Sequence, residues 1–140
     1  MGKINVARVI LGGLLAGVVI NISEYVLNIY VMGDEANAVY ERLGVQPPGM
    51  HQIAILLAMG FVLGVITIFV YAAMRPRFGA GAKTAIIAGV VTWLVSLFGP
   101  IADVVIGITP ANMLVLGGAW SLVEMAVAGV VGAWVYTESA

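Results

Sequence analysis

Apolar residues run almost without interruption through four stretches of the chain: Val6 to Met32, Gln52 to Met74, Ala82 to Ile108 and Met113 to Val135. An α-helix rising ~1.5 Å per residue needs ~20 residues to cross ~30 Å of hydrocarbon, and each stretch is longer than that. The pattern predicts an all-α, polytopic membrane protein. It would be one four-transmembrane-helix bundle over residues 1 to 140, with spans at about 6–32, 52–74, 82–108 and 113–135. The few polar and small residues inside the spans keep helical spacing. Gly13, Gly17, Asn21, Glu24 and Asn28 fall three or four apart in the first, which stacks them on one face. Comparable lines are Gly60, Gly64 and Thr67 in the second span, Gly89, Thr92, Ser96, Gly99 and Asp103 in the third, and Gly117, Ser121, Glu124 and Ala128 in the fourth. We expect these lines to face inward, because small residues permit close helix approach and polar ones bond across a bundle.

The breaks between runs have signals of their own. Between Gly33 and Met50, Asp34 and Glu35 stand where a first helical turn favours negative charge, Arg42 where a last turn favours positive charge, and Gly44 where a helix stops. Ala36, Val39, Tyr40 and Leu43 share a face, which predicts a short amphipathic helix in the first outer loop, lying on the interface or capping the bundle. Pro47-Pro48-Gly49 then turns the chain into the second span. Residues Arg75 to Thr84 read as a tight turn with Pro and Gly ending one helix before the next. Lys83 follows Ala82 rather than Gly, so the segment is not a phosphate loop. Pro100 lacks an N–H to give the Ser96 carbonyl, and a gating bend is expected there, one turn before Asp103.

Composition agrees with a lipid environment: 62% of the 140 residues are hydrophobic and 9% charged, where soluble domains average about 25% charged. A net charge of −1 without a basic stripe argues against nucleic acid as a partner. With no cysteine there is no disulfide, thiolate nucleophile or Cys-ligated metal. No nucleophile-base set, zinc-protease helix or dinucleotide loop is present, so neither an enzyme, a cofactor nor a metal site is expected. The single histidine, His51, begins the second span and reads as an interfacial polar residue. Trp134 and Tyr136 at one edge and Tyr30 at the other read as interfacial anchors. Lys3, Arg8, Arg75, Arg77 and Lys83 gather on one side, and only Arg42 lies in the other loops. The positive-inside rule then sets both termini and the 75 to 83 loop in the cytoplasm of a multi-pass membrane protein.

The three acids within the spans are the main functional lead. An ionised carboxylate facing lipid opposes insertion by roughly 2.5–3.5 kcal/mol on the translocon scale, so Glu24, Asp103 and Glu124 should turn inward and find partners. Hydrogen bonds between helices contribute only about 0.6–2 kcal/mol, too little to explain three acids as glue. A carboxyl in apolar surroundings exchanges its proton nearer neutrality than one in water. On this reading Glu24 is a proton or cation carrier, Asn21 and Asn28 orient it, Glu124 is a second acid, and Ser121, Ser96 and Asp103 complete a polar cavity open to the outside. The two halves also align weakly: a shift of 75 sets Asn21 on Ser96 and Asn28 on Asp103, and a shift of 57 sets Gly60 on Gly117 and Gly64 on Ser121. A parallel two-helix repeat would produce both matches.

The stretches LGGLLAGVVINISEYVLN (11 to 28) and YAAMRPRFGAGAKTA (71 to 85) resemble those of an uncharacterised family of small bacterial four-helix inner-membrane proteins, a resemblance that implies a fold and a bacterial inner-membrane location but no activity. The chain is also similar, less closely, to small multidrug transporters, which have four short helices and an essential glutamate in the first. Glu24 would occupy that position. This chain departs from them in its greater length, its long first loop and its one-sided charge. Two functions are therefore expected: a small transporter or ion-coupled permeation protein, acting as a homodimer on a small solute or proton, or an accessory or structural subunit of a larger membrane complex.

Overall fold

The computed structural model describes residues 3 to 138, which are almost wholly helical. Helix α1 (Val6–Val26) continues through a π-helical turn (Leu27–Val31) into α2 (Gly33–Leu43). There follow α3 (Met50–Phe78), α4 (Ala82–Ser96), α5 (Phe98–Val105) and α6 (Ala111–Ala133). Four segments are long and apolar enough to cross a membrane: Val6–Val31, Met50–Phe78, Ala82–Val105 and Ala111–Ala133. Two boundaries differ from the sequence pattern for local reasons. The second span does not stop before Arg75; α3 runs through Pro76 to Phe78 and ends at Gly79, whose φ of 81° suits only glycine. The third is not one helix. It breaks at Leu97, and α5 restarts with Pro100 in its first turn, where a missing N–H costs little.

The helices stand in cyclic order, with α1 against α3 and α6, α4 against α3 and α6, and α3 also touching α6 across the diagonal. Glycine sets how closely they approach. A Cβ on Gly64 of α3 would lie 2.6 Å from the Gly17 nitrogen of α1, one on Gly129 of α6 2.7 Å from the Ala85 carbonyl of α4, and one on Gly12 of α1 2.5 Å from the Gly132 carbonyl of α6. Backbones therefore touch at three of the four seams, the packing that small residues allow where burial of apolar surface drives nothing. The centre is filled by Ala16, Ile20, Ile68, Ala88, Met125 and Ala128. Outward faces are apolar: Ile22, Met59, Val95, Val115 and Val123 all lie open. The α4–α6 crossing sits at Ala85, Gly89, Met125 and Gly129, not at Gly117 and Ser121, so it does not fall where the 57-residue shift would carry Gly60 and Gly64.

At the end holding both termini, the chain ties itself together. Arg8 donates to the Val135 carbonyl, the Asn5 amide to the Tyr136 hydroxyl, and the Gly81 amide to the Tyr71 hydroxyl. Arg75 lies over both the Tyr71 and Tyr136 rings and 3.7 Å from the Glu138 carboxylate. Tyr136, expected as an interfacial anchor, is instead buried against Tyr71, whereas Trp134 and Tyr30 are open as expected of anchors.

Candidate functional site: a carboxyl pair on the first and last helices

Helices α1 and α6 run antiparallel, and their seam can be followed from the termini outward. Gly12 meets Gly132 first, then the buried core around Ile20 and Met125. Next come the acids. Glu124 is only 6% exposed, and the polar group facing it across the seam is Ser23, next to Glu24 in sequence. Its Oε2 is buried without a hydrogen-bond partner. Beyond it, the Trp120 indole donates to the Ser23 hydroxyl at 2.9 Å, and Met32 covers Gly117. Helical register explains the juxtaposition: Gly117, Trp120, Glu124 and Ala128 are three or four apart on α6, so one stripe carries the whole column.

The two acids are not equivalent. Half-buried Glu24 accepts from the Asn28 amide at 2.8 Å, and the same amide nitrogen also bonds the Glu24 carbonyl. Those bonds suit a carboxylate, which only accepts. Glu124 has no such donor on Oε2. Protonated there, it would be a donor lacking an acceptor, and ionised there, a buried negative charge lacking a cation; both cost free energy. Ser23, already accepting from Trp120, still has its own proton to offer toward Glu124. The arrangement is thus one carboxylate held by an amide, one under-satisfied carboxyl, and a hydroxyl oriented by an indole.

The other sequence candidates lie elsewhere. Asn21 donates to the Leu57 carbonyl of α3 and lies against Gly60, so it fastens α1 to α3 rather than orienting Glu24. Ser121 accepts from Trp93 of α4 and donates to the Gly118 carbonyl, which ties α6 to α4. Ser96 is exposed and bonds the Trp93 carbonyl of its own helix. The line from Gly89 to Asp103 does not stay inward: Ser96, the last residue of α4, is already exposed, and past the break at Leu97 Gly99 is exposed too. Asp103 contributes its backbone carbonyl to the amides of Ile108 and Thr109 and closes α5; it does not join the glutamates. Near Pro100 the third span is interrupted at Leu97, with Pro100 itself inside the first turn of α5.

The predicted cavity takes a different form. A cleft of about 230 Å³ opens beside the Leu97 break, but Trp93, Leu97, Ile101, Leu114 and Val115 make it apolar and no acid lines it. Ser23 and Trp120 were missed in the sequence. Ser23 adjoins Glu24, and Trp120 stands four residues before Glu124, which places each beside an acid without showing that they meet. Among the described residues no group of three or more His, Cys, Asp or Glu could hold a metal. Comparison of the chain with family models, with curated proteins and with solved structures finds no match.

Proposed function

We propose that this chain is a multi-pass protein of the bacterial inner membrane, with both termini cytoplasmic, and that it is a small ion-coupled permeation protein in which Glu124 carries a proton or monovalent cation. Four helices of spanning length with apolar outer faces support the membrane setting. The bonds Asn5 to Tyr136, Arg8 to Val135 and Gly81 to Tyr71 gather the termini and the 75 to 83 turn, with five of the six cations, at one end, the end the positive-inside rule assigns to the cytoplasm. The observation that carries the functional reading is Glu124 on α6, one turn from the Trp120–Ser23 bond to α1 that adjoins Glu24, with its Oε2 buried and unpartnered. A structural acid would be expected to satisfy its oxygens, whereas a carrier must bind and release its charge and is left incompletely bonded by the protein.

In this mechanism Glu24, held by Asn28, supplies fixed negative charge beside the carrier, so a cation arriving at Glu124 meets two acids. Ser23 follows the change, donating toward Glu124 when it is ionised and releasing it when it is loaded, while Trp120 holds the hydroxyl in place. The break at Leu97 gives the third span a point of flexure next to α6.

The test is cation flux in liposomes with a pH-sensitive dye inside and an imposed proton or monovalent-cation gradient. Glu124→Gln keeps size and polarity but not the charge, and should abolish flux; Glu24→Gln should slow it. Full flux through Glu124→Gln, with the protein correctly inserted, would overturn the proposal.

A further inference from the structure

The way from the α2 side of the molecule to Glu124 is stopped at one place. Just past Glu24 the backbone of α1 widens into the π-helical turn Leu27–Val31, a form found mostly as short insertions at functional sites. The turn swings Met32 across the seam. Met32 has non-helical backbone (φ −117°, ψ 10°), is 7% exposed, and lies so that a Cβ on Gly117 would stand 3.8 Å from its sulfur. Leu27, 4% exposed, fills the space on the α1 side. Met32 thus closes the seam at Gly117, one turn beyond Trp120 and two beyond Glu124 on the same stripe of α6.

Little else holds α2 down. It begins immediately after Met32, packs chiefly on the π-helical turn, and buries Val39 alone. Its far end is fastened by Arg42, whose guanidinium donates to the Ile108 carbonyl ahead of α6, a bond that reaches across 66 positions in sequence. From Glu41 to Met50 every residue is exposed, so the chain beyond that bond can follow a movement of α2. An element joined by one turn and one side-chain bond opens at low cost compared with the glycine seams beneath it.

From this, and resting on Glu124 being the carrier, we infer that α2 is an access lid: hinged at Leu27–Val31, plugged by Met32 on Gly117, and latched by Arg42 to the Ile108 carbonyl, so that release of the latch admits aqueous cations to the acid pair. The chain contains no cysteine, so one introduced thiol reports without interference. In proteoliposomes, the rate at which a quaternary-ammonium thiosulfonate modifies Ser23→Cys is measured with the lid intact, then with Arg42→Gln or with Met32→Ala added. Asn37→Cys, exposed on α2, serves as the reference thiol.

With the lid intact Ser23→Cys reacts far more slowly than Asn37→Cys, and loss of the latch speeds it about tenfold, the effect of losing one charge-assisted hydrogen bond. Met32→Ala speeds it as well. Where Arg42→Gln does not fold, Gly117→Leu evicts Met32 from the facing helix and gives the same increase. Equal rates with and without the latch or the plug, or a Ser23→Cys as fast as Asn37→Cys from the outset, would overturn the lid. The rates are read without any flux measurement. Flux that survives unchanged rates removes the lid alone, and altered rates without flux leave the lid and remove the carrier.

Discussion

Replacing Glu124 by Met separates a functional acid from a structural one by the sign of the stability change. Methionine is close to glutamate in length, has no group needing a partner, and adapts its shape to an irregular site. Glu124 sits with Oε2 buried and unbonded beside Met125 and the small Ala128, so the native side chain carries the desolvation of that oxygen with only the Ser23 hydroxyl near the carboxyl to offset it. Removing a buried unsatisfied group of that kind returns about 1–3 kcal/mol. Had Glu124 been interhelical glue, its loss would instead cost about 0.6–2 kcal/mol, the measured range for such bonds. The two expectations differ in sign, and the gap between them exceeds the error of a careful unfolding experiment. Reversible unfolding in mixed micelles, followed by helical signal against denaturant, should therefore show Glu124→Met more stable than the parent by about 1–3 kcal/mol. The same preparation should be inactive in liposomes, a trade of function for stability common at working sites. A variant less stable than the parent by 1 kcal/mol or more would refute the reasoning, because the carboxyl would then be satisfied by bonds that hold the bundle together.

The close helix approach makes a paired prediction. Gly64→Val should lower the unfolding free energy by about 1–3 kcal/mol, since the added carbons meet the Gly17 backbone of α1, which cannot yield. Gly117→Ala should be neutral or better in the same titration, because its Cβ would make ordinary contact with Met32 and alanine favours helix. For orientation, Asp34→Cys should react with an impermeant maleimide added outside intact cells and Lys83→Cys only after lysis; the reverse pattern would overturn the assigned topology.

Much of the fold was legible because hydrocarbon-length helices leave a one-dimensional signature: the apolar runs predict the four long segments to within a few residues at most ends. The inner stripes of the second and fourth spans were also legible, since Gly60, Gly64, Thr67, Glu124 and Ala128 are all buried. What failed was continuity. A face extrapolated at 3.6 residues per turn holds only while the helix does; α4 ends at Ser96, Gly99 beyond the break at Leu97 lies exposed, and the π-helical turn resets the face carrying Asn28. Pairing failed for a second reason. Asn21 and Ser121 have polarity to spend and spend it on the nearest carbonyl or indole, on α3 and α4 respectively, so a shared stripe did not mean a shared site. The Tyr71–Arg75–Tyr136 cluster joins residues 65 positions apart and leaves no local trace.

The position of the acid pair follows from the shape of the α1–α6 seam. At the terminal end the backbones of Gly12 and Gly132 touch, so nothing larger than hydrogen fits between them, and the Tyr136 and Val135 ties fasten that end further. Toward the other end the gap takes larger side chains, first Glu124 with Ser23, then the Trp120 indole, then Met32 over Gly117, where a Cβ would have room. The seam is a wedge, closed by backbone contact below and by movable side chains above. An acid near its narrow end is shielded from the terminal side by tightly packed backbone, and any exchange with water on that path would require the glycine contacts to separate. On the wide side exchange requires only that Met32 and Trp120 move, which rotamer changes and one released hydrogen bond can supply. On the proposed carrier reading, a cation would reach Glu124 in this conformation from the α2 side, and delivery to the other side would demand a second conformation in which Gly12 and Gly132 part. If the proposal holds, a crosslink that locks the terminal end of the α1–α6 seam should leave the protein able to bind the ion but unable to pass it, and flux that persists with Gly12 and Gly132 held together would refute this route.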